Sequence, residues 1–307
     1  MNSIAFSSGS REIKQLILHE PEGQPRAVIQ IVHGMAEHYA RYYRLAEALQ
    51  QQGYAVAGYD QIGHGPETPA ELLGYLGDHN GWQRLIYDAN TVHTILCEHW
   101  PHAPQVMLGH SMGSFVAREY VVQFGVDQLD GLVLSGTGWQ DMGTIRPGLV
   151  IARLQCLRKN GAKRPSMLLH KLAFGGYNKG FRPARTDYDW LSRDEKEVDK
   201  YIADPLCGFP FTAGGYRDLF EGLRDLTLVH RLQHVPKDLP VLLISGENDP
   251  VGGKKGELVN KVAAQYRSAG LQDVQVKLYE GARHELFNEI NRDQVQADLL
   301  AWLKRYD

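Results

Sequence analysis

The pentapeptide Gly109-His110-Ser111-Met112-Gly113 has the spacing G-x-S-x-G, a pattern that makes a serine nucleophilic when it lies between a strand and a helix. Gln105 to Leu108 is a short apolar run, and Phe115 to Phe124 continues with helical spacing. The glycines have a steric reason. In so tight a turn, side chains at minus two and plus two would strike the neighbouring strand and helix, while the serine takes a strained conformation. Its hydroxyl then stands above the sheet at the positive end of a helix dipole.

A serine hydroxyl is a weak nucleophile at neutral pH and needs a base. Where such an elbow occurs, the chain order runs Ser, then Asp or Glu, then His. Of the 13 histidines, only His170, His230, His234 and His284 follow Ser111. His170 falls in a stretch without strands, and His230 and His234 precede the strand that should deliver the acid. That leaves His284, in Gly281-Ala282-Arg283-His284-Glu285. The acid is expected in Ser245-Gly246-Glu247-Asn248-Asp249-Pro250. Asp249 is favoured because Pro250 restricts its backbone to extended geometry; Glu247 stays as the alternative. A carboxylate there would keep the imidazole tautomer correct and stabilise the imidazolium. An oxyanion would need two backbone donors, expected from Met112 and from Met35 in His33-Gly34-Met35-Ala36-Glu37-His38, with Gly34 allowing close approach. His33, Glu37 and His38, like His99 and His102, lack the helical spacing and third ligand of a zinc site, so no metal is expected.

These residues need elements to carry them. Residues 12 to 18 and 26 to 32 read as strands split by the turn signal Pro21-Glu22-Gly23. Tyr42, Leu45, Ala46 and Leu49 at i, i+3, i+4 and i+7 predict a helix stopped by Gly53. A strand from Tyr54 to Tyr59 follows, then a long helix from Trp82 to Trp100. Further strands are expected at Gly131 to Leu134, Val241 to Ile244 and Val274 to Tyr279, with helices at Leu258 to Tyr266 and Val295 to Leu303. Such alternation predicts an α/β fold, a mostly parallel sheet with helices on both faces. Between Trp139 and Arg231 the alternation fails. Residues 139–231 are read as an inserted helical cap, and 1–138 with 232–307 as the core.

Composition narrows the classes. The 307 residues are 43% hydrophobic and 22% charged, with a formal net charge of -3, as in a globular protein rather than a disordered one. No basic stripe points to nucleic acid, and the basic run from Arg158 to Arg164 is read as a solvated loop. Three scattered cysteines suggest buried thiols in a reducing compartment. The N-terminus lacks a basic start followed by an apolar stretch, and apolar runs fall short of the roughly 20 residues that cross a bilayer. A cytoplasmic location is expected.

With His33 to His38, Tyr59-Asp60-Gln61-Ile62-Gly63-His64-Gly65 and Gly109 to Gly113 in order, the chain resembles the monoacylglycerol lipase and lysophospholipase branch of the α/β-hydrolases, of serine aminopeptidase S33 type. Ser245 to Val251 and Gly281 to Glu285 are similar to that branch's acid and base segments, so the likeness spans nearly the whole chain. It implies the α/β-hydrolase fold and hydrolysis of small-molecule esters bearing one acyl chain, without metal or organic cofactor. Transient contact with a lipid interface is also implied. Asp204-Pro205-Leu206-Cys207-Gly208-Phe209 resembles bacterial members labelled lysophospholipases. Leu149 to Leu157 and Met167 to Phe174 suit either an acyl tunnel or the cap's own core. The cap decides between lipolysis, short-ester cleavage, thioester cleavage and aminopeptidase action. A non-catalytic ligand-binding homologue is the remaining alternative.

Overall fold

Runs such as Val-Leu-Leu-Ile at 241–244 send alternate side chains to opposite faces of one sheet. Val241 and Leu243 join one buried cluster while Leu242 and Ile244 join another, and Leu132 and Leu134 oppose Val133 in the same way. Strands buried on both faces belong to a mostly parallel sheet covered by helices. The computed structural model describes residues 2–8, 13–125 and 129–307.

The strands are β1 (Asn2–Ser7), β2 (Ile13–His19), β3 (Val28–Val32), β4 (Ala55–Gly58), β5 (Gln105–His110), β6 (Gly131–Ser135), β7 (Val241–Gly246) and β8 (Val274–Tyr279). They form one sheet in the order β1-β2-β4-β3-β5-β6-β7-β8. β2 is antiparallel to β1 and β4; all other pairs are parallel. The expected start of the second strand, residue 12, lies outside the described residues. β1 was not expected at all: its Phe6 is buried edge-on against Tyr59 at 5.5 Å, but its flanking serines and asparagine hide the pattern.

Helices α1 (Tyr43–Gln51) and α9 (Arg292–Leu303) contribute Leu45, Leu49, Val295 and Leu299 to the core on one face. Helices α2 (Gly81–His99), α3 (Met112–Phe124) and α8 (Glu257–Ser268) contribute Leu85, Val116 and Val262 on the other. Helices α4 (Met142–Cys156), α5 (Met167–Phe174), α6 (Glu195–Ala203) and α7 (Ala213–Leu226) lie between β6 and β7. That segment holds no sheet strand, only a bridge between Pro165 and Thr212. α4 packs on α7, and Gly148 lets Phe220 approach so closely that a Cβ there would lie 2.8 Å from its ring.

The chain leaves β3 toward β4 on one side and reaches β5 on the other. The carboxyl ends of β3 and β5 therefore flank the crevice where ligands bind in open α/β sheets. The loops that leave them carry Met35 and Ser111. Among the described residues, no helix is long and apolar enough to cross a membrane.

Candidate active site

Ser111 sits between β5 and α3 with φ 51° and ψ -120°, a left-handed conformation costing an ordinary residue about 1–3 kcal/mol. The neighbouring chain enforces it. Cβ atoms built on Gly109 and Gly113 would lie 2.4 Å from the Gly113 carbonyl and 2.0 Å from that of Val32. The Ser111 N–H is tied to the Ser135 carbonyl at 2.9 Å. As first residue of α3, Met112 has a backbone N–H with no carbonyl one turn behind it.

His284 and Asp249 meet from two separate loops. The histidine Nδ1 lies 2.9 Å from Asp249 Oδ2, and both residues are buried. Asp249 Oδ1 accepts the Val251 N–H at 2.9 Å, and Ser245 Oγ donates to Oδ2 at 3.3 Å. Glu247, the alternative acid, is only partly buried and lines a different groove behind Asp249. Burial opposes charge on His284, but Asp249, then Glu285 and Glu37, outweigh it and set its pKa above the ordinary value. His110 lies 4.8 Å from it, ring to ring. Burial and the His284 charge hold His110 down at about 4, so it stays neutral.

In the loop after β3, the Gly34 N–H donates to Glu37 Oε1 and the Ala36 N–H to His64 Nε2 at 3.1 Å. Burial keeps His64 neutral and able to accept, which gives the His64 motif a structural task. Among the described residues the intervening Met35 N–H has no partner. A Cβ on Gly34 would come within 3.2 Å of the Ser111 Cβ, so this loop lies against the elbow. Ser111, His284 and Met35 line one cavity of about 500 Å³.

Residues 23–291 match the family model described as serine aminopeptidase, S33. The chain belongs to that family. It is similar to a monoacylglycerol lipase of Mycolicibacterium smegmatis, 29% identical over 286 residues that make up 92% of this chain and 90% of the relative. A monoglyceride lipase of Rattus norvegicus is 30% identical over 277 residues, 88% of this chain and 79% of the relative. Among solved structures, a thermostable carboxyl esterase of Bacillus coagulans superposes with a TM-score of 0.91 at 27% identity, covering 99% of this chain and 98% of that one. The fold is thus the α/β-hydrolase fold, in the branch that holds these lipases.

The segment between β6 and β7 supplies the other wall. Met167, Phe174, Leu191 and Phe209 give the cavity apolar surface; His170, Lys171 and Asn178 add polar groups. Trp190 lies 5.0 Å from His284, ring to ring. The backbone binds there too: His284 N–H donates to the Trp190 carbonyl at 3.4 Å, and Glu285 N–H to that of Leu191 at 2.7 Å. Of the two apolar pieces left open from sequence, Met167 and Phe174 reach the cavity, while Leu149 and Ala152 are packed in the core. Val150, Leu154 and Leu157 do neither; they are 56%, 60% and 82% exposed. His230 and His234 lie on the surface.

Sequence reasoning missed a buried charge network beside the site. Arg41 bridges Glu37 and Glu285, with Nη1 2.6 Å from each. Burial works against the Glu37 carboxylate, but Arg41, His110, His33 and the Tyr42 hydroxyl bring its pKa down to about 2. The i,i+4 spacing of Glu37 and Arg41 was a signal available in the sequence; Glu285 offered none.

Proposed function

We propose that this protein is a serine hydrolase that cleaves carboxylic esters bearing a single acyl chain, of monoacylglycerol type, through an acyl-enzyme. The observation that carries the reading is one cavity lined by Ser111, His284 and Met35, with Asp249 bonded to His284 and the Met35 N–H without a partner among the described residues. Residues 139–231 act as its cap.

Ser111 Oγ attacks the ester carbonyl while its proton passes to His284 Nε2. Asp249 holds the opposite ring nitrogen and stabilises the imidazolium. The N–H groups of Met35 and Met112 hold the tetrahedral oxyanion, each such donor lowering the barrier by about 2.7–4 kcal/mol. His284 then protonates the departing alcohol. A water, deprotonated by the same imidazole, attacks the acyl-serine; the imidazolium then returns that proton to Ser111 Oγ as the C–Oγ bond breaks and the carboxylic acid leaves. The apolar cap wall suits an acyl chain, and the monoacylglycerol lipase relatives favour a glycerol head group.

Transient contact with a lipid interface is supported by the exposed Val150 and Leu154 of α4, Leu157 just after it, and Met167, Leu168 and Leu172 of the adjoining α5.

The test is a substrate panel: monoacylglycerols of graded chain length, lysophospholipids, short nitrophenyl esters and a proline amide. Monoacylglycerol should be turned over best, and Ser111→Ala should lower every rate by orders of magnitude in a folded protein. A preference for the amide, or full activity in Ser111→Ala, would discard the reading.

A further inference from the structure

Where the loop after β3 meets the cap, three coordinating side chains converge outside the hydrolytic chemistry. His38 Nε2 lies 2.8 Å from Asp204 Oδ2. With the Cys207 sulfur they form a group whose ligand atoms all lie within 4.8 Å of one another. Asp204 and Cys207 occupy a turn after α6 that the backbone fixes. Leu206 N–H donates to Asp204 Oδ1 at 2.8 Å, and Cys207 N–H to the Asp204 carbonyl at 3.0 Å. That turn is in turn anchored to the loop bearing His38, because Gly208 N–H and the Tyr201 hydroxyl both donate to the Ala36 carbonyl, at 2.9 and 3.1 Å. Backbone hydrogen bonds thus hold the three donors near one another.

The donor set selects a class of ligand. One imidazole nitrogen, one carboxylate oxygen and one sulfur suit Zn²⁺ and related transition ions, whereas Mg²⁺ and Ca²⁺ take oxygen alone. Tetrahedral ligation at bonds of about 2.0–2.3 Å spaces ligand atoms roughly 3.5 Å apart, within reach of side-chain rotation here. The field agrees. Glu37 and Glu285 share the single guanidinium of Arg41, and Asp204 adds a third carboxylate nearby.

We propose that His38, Asp204 and Cys207 bind a Zn²⁺-type transition-metal ion that joins the cap to the loop carrying Met35. On binding, the Cys207 S–H bond breaks, a sulfur–metal bond forms and the proton leaves to water. His38 presents the Nε2 lone pair with its proton on Nδ1, and Asp204 exchanges its hydrogen bond to the ring for a bond to the ion. Water fills the fourth position.

Titrating Zn²⁺ into metal-stripped full-length protein by calorimetry tests this, with Mg²⁺ as control. The wild type should bind one Zn²⁺ per chain and gain thermal stability, with no response to Mg²⁺. Cys207→Ser and Asp204→Asn should each bind at least about tenfold more weakly. Co²⁺ should give a thiolate-to-metal charge-transfer band that Cys207→Ser abolishes. Cys97, whose sulfur lies 3.3 Å from His93 Nε2, remains in that variant as an internal control. Equal Zn²⁺ affinity in wild type and both variants would overturn the proposal, as would a Co²⁺ band that survives Cys207→Ser. Asp204→Asn keeps the side-chain shape, so its affinity decides the question even if the thiol variant fails to fold.

Discussion

Arg41 grips Glu285 through two parallel contacts, Nη1 to Oε1 and Nη2 to Oε2, each 2.6 Å long. Glu285 directly follows His284, and the third contact of Arg41 reaches Glu37, whose other oxygen accepts the Gly34 N–H. One guanidinium therefore braces the loop bearing His284 and the loop bearing Met35 together. Arg41→Met would leave two buried carboxylates without their cation, a loss of about 3–5 kcal/mol. Thermal melts should show a clear drop. Arg41→Lys keeps the charge but not the planar fork, so it should fold better than Arg41→Met yet turn over ester more slowly than wild type. A methionine variant with unchanged melting temperature and kcat would refute the bracing role.

The base sets the pH dependence. Because Asp249 raises the His284 pKa above 6.5 despite burial, kcat/KM for a soluble ester should climb with pH through a midpoint above 6.5 as the imidazolium loses its proton. Asp249→Asn removes the charge that favours the imidazolium. Its midpoint should move to lower pH, and kcat should fall by about 10⁴-fold. A wild-type midpoint below 6.5 would count against this account.

Asp218 predicts a stability effect of opposite origin. Burial, only partly offset by Arg217 at 2.9 Å, pushes its carboxyl up to about 6, and its Oδ2 has no hydrogen-bond partner. The folded state therefore holds a proton that the unfolded chain releases near 3.8. Stability should fall as pH rises between those values and stay reduced above them. Asp218→Asn should flatten that segment of a pH–denaturation curve and raise stability at neutral pH. A variant less stable than wild type at pH 8 would contradict the sign.

The exposed cap leucines separate interfacial from soluble catalysis. Burying one leucine at a lipid surface contributes about 1.5 kcal/mol or more. Leu154→Ser with Leu157→Ser should therefore cost roughly tenfold or more in activity on dispersed long-chain substrate. Hydrolysis of a soluble short ester should not change. Equal losses on both substrates would show that these side chains act on the fold instead.

What was legible from sequence follows from what each signal depends on. β3 and β5 to β7 were readable because both their faces are buried, so the apolar runs are nearly unbroken, whereas β8 was readable from the alternation of Val274, Val276 and Leu278 with exposed Gln275 and Lys277. Ser111, His284 and Asp249 could be named as candidates because the elbow motif, chain order and the expected strands pruned the rest. Pro250 favoured Asp249 over Glu247, but the contact with His284 shows only in space, where β7 and β8 bring the loops after Gly246 and Tyr279 side by side. Long-range pairs such as Arg41 with Glu285 leave no trace in local spacing. Within Leu149 to Leu157 the sequence does not show which face is covered; the buried face of α4 is Ile145, Gly148, Leu149 and Ala152.

The backbone bonds from residues 284 and 285 to the carbonyls at 190 and 191 have a practical consequence for anyone exchanging caps between relatives. The strip around Trp190 belongs in sequence to the helical segment between β6 and β7 but in space supports the loop bearing His284. A graft that replaces it would unseat the imidazole, whereas a splice that keeps residues 190 and 191 native leaves the proton-transfer geometry with its original support.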